Sequence, residues 1–564
     1  TRVRSSAASD VYKRQALPWA LSLSAAGVIV AAGLVASMGA AVSQARQTKA
    51  VFRPVAWTLV AAGLASVGVA AVQLFVPQLA DGELIARSSL AGRAVGNLRQ
   101  ANHLATLLLW SAVAVVWLGE LRLRRPQHDA AFAPTVLESR WSGSEAAATT
   151  GRPRFSTARR ERFLTTLAVV AGLLLMVAGI VWSGSRTGLL GLVVLAAWGA
   201  WDRRLTPVSR AVLVATPVMA LLVWLAMQGV AGAGPAAQGL ARPGSDISSS
   251  RFAIWRDTVD LILQNPWLGV GYGEFNFAWT LTPFPNRPTA FFDHTHNLPL
   301  QFLVELGVPL ALVVMGLLLW TLQRAAHQAR RLEGEQGLTV RTAFVMVLLM
   351  VLHSQLEYPL WYAYFLLPTA FLLGLCIAGQ ERRSTSLRPD EMNRSPVRTS
   401  LMVAMIGLAV TAVAVWDYQR VVEIFKPARG AASLEQRIAE GRQSWFFSHH
   451  ADYAAVTTAA RPSTFMPAFD RAAHHLLDAR LMRAWAQALH ETNQVDRSRH
   501  LAQRLAEFRN PQAADFFAIC ADPVAAGAAR KPAPATAPAS APASVLAGDG
   551  LSPGAGEAAA SGLG

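Results

Sequence analysis

Cysteine is nearly absent: the 564 residues hold two, Cys376 and Cys520. That excludes a disulfide framework and a cysteine-built zinc site. Cys376 also lies in an apolar run, so pairing with Cys520 is not expected. Charge is scarce, at 15% Asp, Glu, Lys and Arg, against about 25% in an average soluble domain. The low hydrophobicity that disorder requires is missing too, since 53% of residues are hydrophobic and mean hydropathy is positive at +0.31. These absences exclude a soluble globular or disordered chain and leave an integral membrane protein. Acidic residues are outnumbered 35 to 51, a formal charge of +16. Such an excess raises the question of nucleic acid, which the placement of the charges decides.

The opening TRVRSSAASDVYKRQ is polar and basic and joins abruptly to an apolar run at Ala16. It reads either as the n-region of a signal peptide or as a non-native extension. No Met begins it and no small-residue cleavage site follows a short apolar region. The string resembles a translated sequencing-adaptor read-through, so residues 1–15 are set aside, and native upstream helices are then expected to be missing. A spanning helix needs about 20 apolar residues, sometimes as few as 17. Runs at 16–43, 54–80, 103–120, 163–182, 187–201, 211–231, 298–322, 342–353, 362–380 and 400–416 meet or approach that rule. The predicted fold is all-α and polytopic, with about ten spans. Its expected divisions are a transmembrane bundle at 16–231 with an Arg-rich cytoplasmic insertion at 121–162, a large outer loop at 232–297, and transmembrane helices at 298–416. A small soluble helical domain at 417–522 and a disordered Pro/Ala/Gly tail at 523–564 follow.

The charges separate by loop. Loops 44–53, 121–162, 202–210, 323–341 and 381–399 hold 24 Lys/Arg, whereas 81–102, 183–186, 232–297 and 354–361 hold 8 in a similar length. By the positive-inside rule the first set is cytoplasmic and the second faces outward. The first set carries +14 and the second none, so the excess is a topology signal and no nucleic-acid partner is expected. Trp110, Trp117, Trp182, Trp201, Trp320 and Trp416 suit an interfacial aromatic belt.

The outer set carries the candidate chemistry. Ser248–Ser250 are placed to cap a helix from Arg251 to about Gln264, stopped by Asn265-Pro266. Its apolar Phe252, Trp255, Val259 and Ile262 suit a membrane surface. Arg251 then reads as a capping surface residue or as a phosphate ligand at a helix N-terminus. Arg186, in SGSRTG, is either a snorkelling turn charge or a cation held at the boundary for phosphate. GVGYGEF lacks the strand-then-helix context of a nucleotide loop and reads as a turn. His296 is either an interfacial hydrogen-bonding residue or a catalyst. Asp293, His294 and His296 together raise a metal site, although no further ligand stands at a recognisable spacing. Glu305, inside a span, is functional or a helix–helix hydrogen bond. Two outer arginines, an outer histidine and an apolar body suit a lipid-borne anionic substrate.

SGSRTGLLGL, SSRFAIWRDTVDLILQNPWLGVGYGEF and HTHNLPLQFLVELGVP resemble, in order, the O-antigen ligase/polymerase (Wzy_C) superfamily of bacterial glycosyltransferases. GRAVGNLRQANHLATLLLW and HSQLEYPLWYAYFLLP are similar to segments of its PglL-type protein O-oligosaccharyltransferases. The resemblance covers about residues 85–380; the Arg-rich insertion and the short N-terminus depart from it. It implies a C-type glycosyltransferase-like architecture in the bacterial inner membrane, with a periplasmic active site and a periplasmic C-terminal domain. It implies en bloc transfer of an oligosaccharide from an undecaprenyl-diphosphate carrier, a membrane lipid, to Ser/Thr hydroxyls of a periplasmic protein such as a pilin. By motif position His296 is implied as catalytic, and Arg186 and Arg251 as diphosphate ligands. Gln100, Asn297, Glu357 and Tyr358 are implied as substrate-binding. The expected chemistry needs no metal or other cofactor and inverts the anomeric centre. Transfer to lipid A core, as in lipopolysaccharide assembly, and O-antigen polymerisation are the alternatives. A lipid or polysaccharide transporter is the third, disfavoured because the ionisable groups gather on one face and no internal repeat is visible.

Overall fold

A computed structural model describes residues 18–88, 92–124, 155–230, 245–289, 291–378, 389–428, 430–510, 513 and 516–517. The expected extension at 1–15, most of the insertion at 121–162, the first part of the 232–297 loop and the 523–564 tail lie outside the described residues. Within them the chain is helical and carries no strand.

The elements are α1 (Trp19–Gln44), α2 (Thr48–Phe75), α3 (Ala101–Leu123), α4 (Phe155–Ser183), α5 (Arg186–Trp201), α6 (Pro207–Val214), α7 (Thr216–Val230), α8 (Ser245–Gln264) and α9 (Phe275–Leu281). They continue as α10 (Leu298–Arg331), α11 (Gly334–Ser354), α12 (Ala363–Ile377), α13 (Pro389–Phe425), α14 (Leu434–Gly441), α15 (Ser448–Thr458), α16 (Met466–His475), α17 (Ala479–Glu491) and α18 (Val495–Glu507).

Each of the ten apolar runs overlaps a helix. Among the described residues seven helices are long and apolar enough to cross a membrane, and an eighth span is counted if α6 and α7, bent by 46° at Ala215, act as one. This is a membrane protein. α5 and α12 are shorter, at 16 and 15 residues. The run expected at 342–353 is the second half of a full-length helix, because α11 starts at Gly334.

With lipid outside, helices associate by close backbone packing rather than by hydrophobic exclusion. α1 and α12 show this: a Cβ on Gly374 would stand 1.9 Å from Ala36 O, and one on Gly39 would stand 2.2 Å from Phe371 O. α3 is the central post, enclosed by α2, α4, α5 and α11. Trp110 and Trp117 are therefore not belt residues. Both are buried, donating to Met346 O at 3.0 Å and Thr339 Oγ1 at 3.2 Å. Trp201, Trp320 and Trp416 are exposed, as a belt requires.

The described parts of the two loop sets gather at opposite ends. At one end Glu120 accepts from Thr206 N (2.9 Å), Lys49 pairs with Glu335 (2.8 Å) and Arg341 with Asp202 (2.9 Å). The other end carries the 81–102, 183–186, 245–297 and 354–361 segments. There the loop and the C-terminal helices build one core: Phe275, Trp279, Phe292 and Val304 pack with Phe469, Leu481, Trp485 and Phe508. Arg287 clasps the two, buried between Trp279 (4.7 Å) and Phe508 (4.6 Å) and paired with Glu507 at 3.2 Å. α13 runs without a break past Trp416, the expected end of the last span. Its buried Asp417 accepts from Ser444 Oγ at 2.7 Å and from the Trp445 and Phe446 amides at 3.0 Å.

Candidate functional site

The turn before α10 is over-determined. Thr295 N donates to Gln301 Oε1 (2.8 Å), Thr295 Oγ1 donates to Asn297 O (2.8 Å), and Thr295 O accepts from Trp255 Nε1 (2.9 Å). Asn297 caps α10 by accepting from Leu300 N at 3.1 Å, and its amide donates to Gln355 O at 3.1 Å. Between them His296 is held at φ 54°, a left-handed conformation that is rare outside glycine. Such strain persists only where the surroundings impose it.

His296 Nδ1 stands 2.6 Å from Glu357 Oε2. Glu357 is buried, and its other oxygen, Oε1, accepts from Arg251 and from Asn102 Nδ2 (2.8 Å). Burial by itself would raise the Glu357 carboxyl; the His296 and Arg251 partners outweigh it and hold it down at about 2. An ionised carboxylate bound at Nδ1 fixes the imidazole with its proton on that nitrogen. Nε2 makes no hydrogen bond among the described residues. The network continues: Asn102 Oδ1 accepts from Ser185 Oγ at 2.6 Å, and Ser185 caps α5 by accepting from Gly188 N at 3.0 Å.

Arg186 is the first residue of α5 and is exposed. Beside it Arg93 donates to Gly184 O, and Arg93 Nε is buried without a partner. Burial and then the Arg186 charge push the Arg93 guanidinium below its ordinary value. Gly184 has φ 61°, and a Cβ there would stand 2.7 Å from Arg93 Nε, so glycine makes the turn and the approach of Arg93 possible. Two adjoining guanidiniums thus stand at a helix N-terminus, where free N–H groups add positive potential.

Several expectations change. α8 begins at Ser245, so Ser248–Ser250 lie inside it and Arg251 sits nearly two turns from its N-terminus. The helix-terminal arginine is Arg186. The apolar face of α8 divides: Ile254, Trp255, Leu261 and Ile262 pack inward, while Phe252, Val259 and Leu263 form an exposed stripe. Asp293, His294 and His296 do not converge on a point. Asp293 pairs with His294 at 3.2 Å, His294 stacks on Tyr358 at 4.3 Å, and His296 turns to Glu357. Tyr358 also meets His296 edge-on at 4.9 Å, and burial, reinforced by the Asp293 charge, pushes its phenol well above the ordinary range. Gln100 precedes α3 without capping it, and its Oε1 is buried with no partner.

GVGYG is a turn, and a specific one. Gly269 and Gly307 meet backbone to backbone, with Val270 N donating to Val304 O (2.8 Å) and Val308 N to Pro266 O (2.8 Å) across the kink in α10. Glu305 accepts from Gln301 Nε2 (2.8 Å) and Phe275 N (3.4 Å), so it ties loop to helix. Sequence reasoning missed Asn102, Ser185 and Arg93. All three lie in segments already singled out, but only the packing of α3 against α5 and α11 makes them partners.

Residues 171–315 match the O-antigen ligase family, residues 94–118 the protein glycosylation ligase family, and residues 341–515 the virulence factor membrane-bound polymerase C-terminal family. The chain is similar to a general O-oligosaccharyltransferase of Acinetobacter baylyi, 34% identical over 170 residues, which is 30% of this chain and 27% of that protein. It is also similar to a ComP-specific O-oligosaccharyltransferase of the same organism, 28% identical over 182 residues, 32% of this chain and 31% of that protein. The matches thus span under a third of each relative, and they carry the resemblance to the O-antigen ligase superfamily and its protein-glycosylating branch.

Proposed function

We propose that this chain is a glycosyltransferase, a protein O-oligosaccharyltransferase of the bacterial inner membrane. It transfers a glycan en bloc from an undecaprenyl-diphosphate carrier to a Ser or Thr hydroxyl at the periplasmic face. The observation that carries the reading is the continuous network from His296 through Glu357, Arg251, Asn102 and Ser185 to the Arg186 turn. It sets a carboxylate-oriented imidazole and a cationic helix terminus at one end of an apolar bundle. An alcohol is a weak nucleophile, and His296 Nε2 takes its proton as the new glycosidic bond forms. The bond from the anomeric carbon to the diphosphate breaks, and the departing diphosphate gains charge that Arg186 and Arg93 neutralise. Arg251 joins them by exchanging Glu357 for phosphate. Direct displacement inverts the anomeric centre. Guanidiniums supply the charge stabilisation, so the transfer step itself proceeds without a metal.

A specific acceptor protein fits, since one similar protein is named for its action on ComP; we propose a pilin-like periplasmic protein. The match at 341–515 to a polymerase family favours lipid-linked glycan as the acceptor instead, giving a ligase or polymerase. Co-expression with a lipid-linked glycan and either a pilin or a lipid A core acceptor separates them. Glycosylated pilin is expected; glycan on lipid A or on longer lipid-linked chains alone overturns the proposal. Transfer that persists at full rate in a chelator is expected, and a loss reversed by divalent metal refutes the metal-free step.

A further inference from the structure

Away from that network, the start of α15 and the end of α16 bring three histidines together. The ring centroids of His449, His450 and His475 lie 4.2 to 4.6 Å apart. One ligand nitrogen from each lies within 4.8 Å of the others. Each residue also keeps a buried ring nitrogen without a hydrogen-bond partner: Nδ1 of His449, Nε2 of His450 and Nε2 of His475. Three unpaired buried polar atoms in one place are costly, since such groups normally find a partner.

We propose that His449, His450 and His475 form a binding site for a divalent transition-metal ion, zinc in the first instance. Imidazole nitrogens suit zinc at about 2.0–2.1 Å, and in a tetrahedral site that places them roughly 3.3 Å apart. Small ring rotations close the present gap. Ligation needs neutral imidazoles. Burial, then mutual repulsion, lowers His449 and His450 well below the ordinary histidine range; burial brings His475 to about 4 despite the opposing Asp293 charge. Water is the source of the fourth ligand. The three protein ligands come from two helices that pack together. The ion is therefore a clasp joining α15 to α16. It takes no part in bond making.

The test uses the full chain in detergent, stripped with a chelator and dialysed. Titration with Co²⁺ is expected to give the visible bands of a four-coordinate nitrogen-ligated ion, saturating at one equivalent and displaced by Zn²⁺. Zinc is expected to raise the thermal midpoint of the stripped protein. His450→Gln and His475→Gln are expected to weaken Co²⁺ binding by more than the ~10–100-fold that losing an outer-shell partner costs, while His294→Gln leaves it intact. Absence of a one-equivalent Co²⁺ spectrum in the folded wild-type chain overturns the proposal, whatever the variants do. Binding unchanged in a folded His449→Ala/His450→Ala/His475→Ala variant, or lost in His294→Gln, overturns the assignment to these residues.

Discussion

His296 Nδ1 lies 2.6 Å from Glu357 Oε2, although the two residues are 61 positions apart and on different segments. The pair decides what each can do. The carboxylate sets the tautomer and direction of the imidazole, and the imidazole helps keep that carboxylate ionised in a buried place.

A general base accounts for about 10²–10⁴ in rate. His296→Ala is therefore expected to lower glycan transfer by at least ~100-fold, with membrane insertion unchanged. Glu357→Gln keeps the shape but loses the charge, and is expected to fall nearly as far in kcat. An in vitro assay with purified lipid-linked donor reads both; wild-type rates in His296→Ala remove the base.

Glu357 also fixes a pH dependence of stability. Its folded value, about 2, lies below the ordinary 4.5. A group lowered on folding stabilises above its unfolded value, and the contribution is lost as pH falls through the folded one. The wild-type chain is thus expected to exceed Glu357→Gln in stability above about pH 4.5, with the gap closing toward pH 2. Thermal unfolding of both proteins across that window checks the sign.

Arg186→Lys keeps the charge but loses the bidentate fork. It is expected to raise the donor KM and lower kcat/KM by about tenfold, equivalent to ~1.4 kcal/mol of lost transition-state binding. Gly184→Ala acts on the same surface by a different route. It meets Arg93 Nε and must adopt a left-handed conformation, a cost of about 1–3 kcal/mol. Donor-concentration kinetics on the two variants show whether Arg93 belongs to the anion site; an unchanged KM in both excludes it.

Gly307, at φ 74°, lets α10 break where the Trp267–Gly269 backbone packs against it, and a Cβ there would stand 2.4 Å from Trp267 O. Gly307→Ala is expected to displace the 266–271 turn, lower the accumulated protein and lower transfer by at least ~10-fold, as misplacement of catalytic groups does. Quantitative blotting of membranes alongside the transfer assay tests it.

Arg287→Ala removes the buried clasp between loop and C-terminal helices and leaves Glu507 without its charged partner across the seam, where the Phe284 amide still donates to it. Losing one member of a largely buried pair costs about 3–5 kcal/mol. Limited proteolysis is expected to cut within 245–297 or 430–510 far faster than in the wild-type chain, and equal rates would show that the shared apolar core suffices.

By itself the sequence determined the solvent and the helical runs. Apolar run length and the loop bias of Lys and Arg are local properties, so they placed the apolar runs in helices and sorted loops whose described parts lie at opposite ends. It also marked His296, Arg186, Arg251 and Glu357 through motifs whose spacing is local. Packing was not legible in it. Trp110 and Trp117 look like interfacial residues in a list of run ends, and only the enclosure of α3 buries them. The helix-terminal role passed from Arg251 to Arg186 because α8 starts six residues upstream, in a Ser-rich stretch that satisfies cap and helix alike. The His296–Glu357 pair, the Arg93–Gly184 contact and the three-histidine cluster join segments distant in the chain. Their partners are chosen by which helices pack side by side, and in a membrane that choice rests on close steric fit rather than on any periodicity a single segment displays.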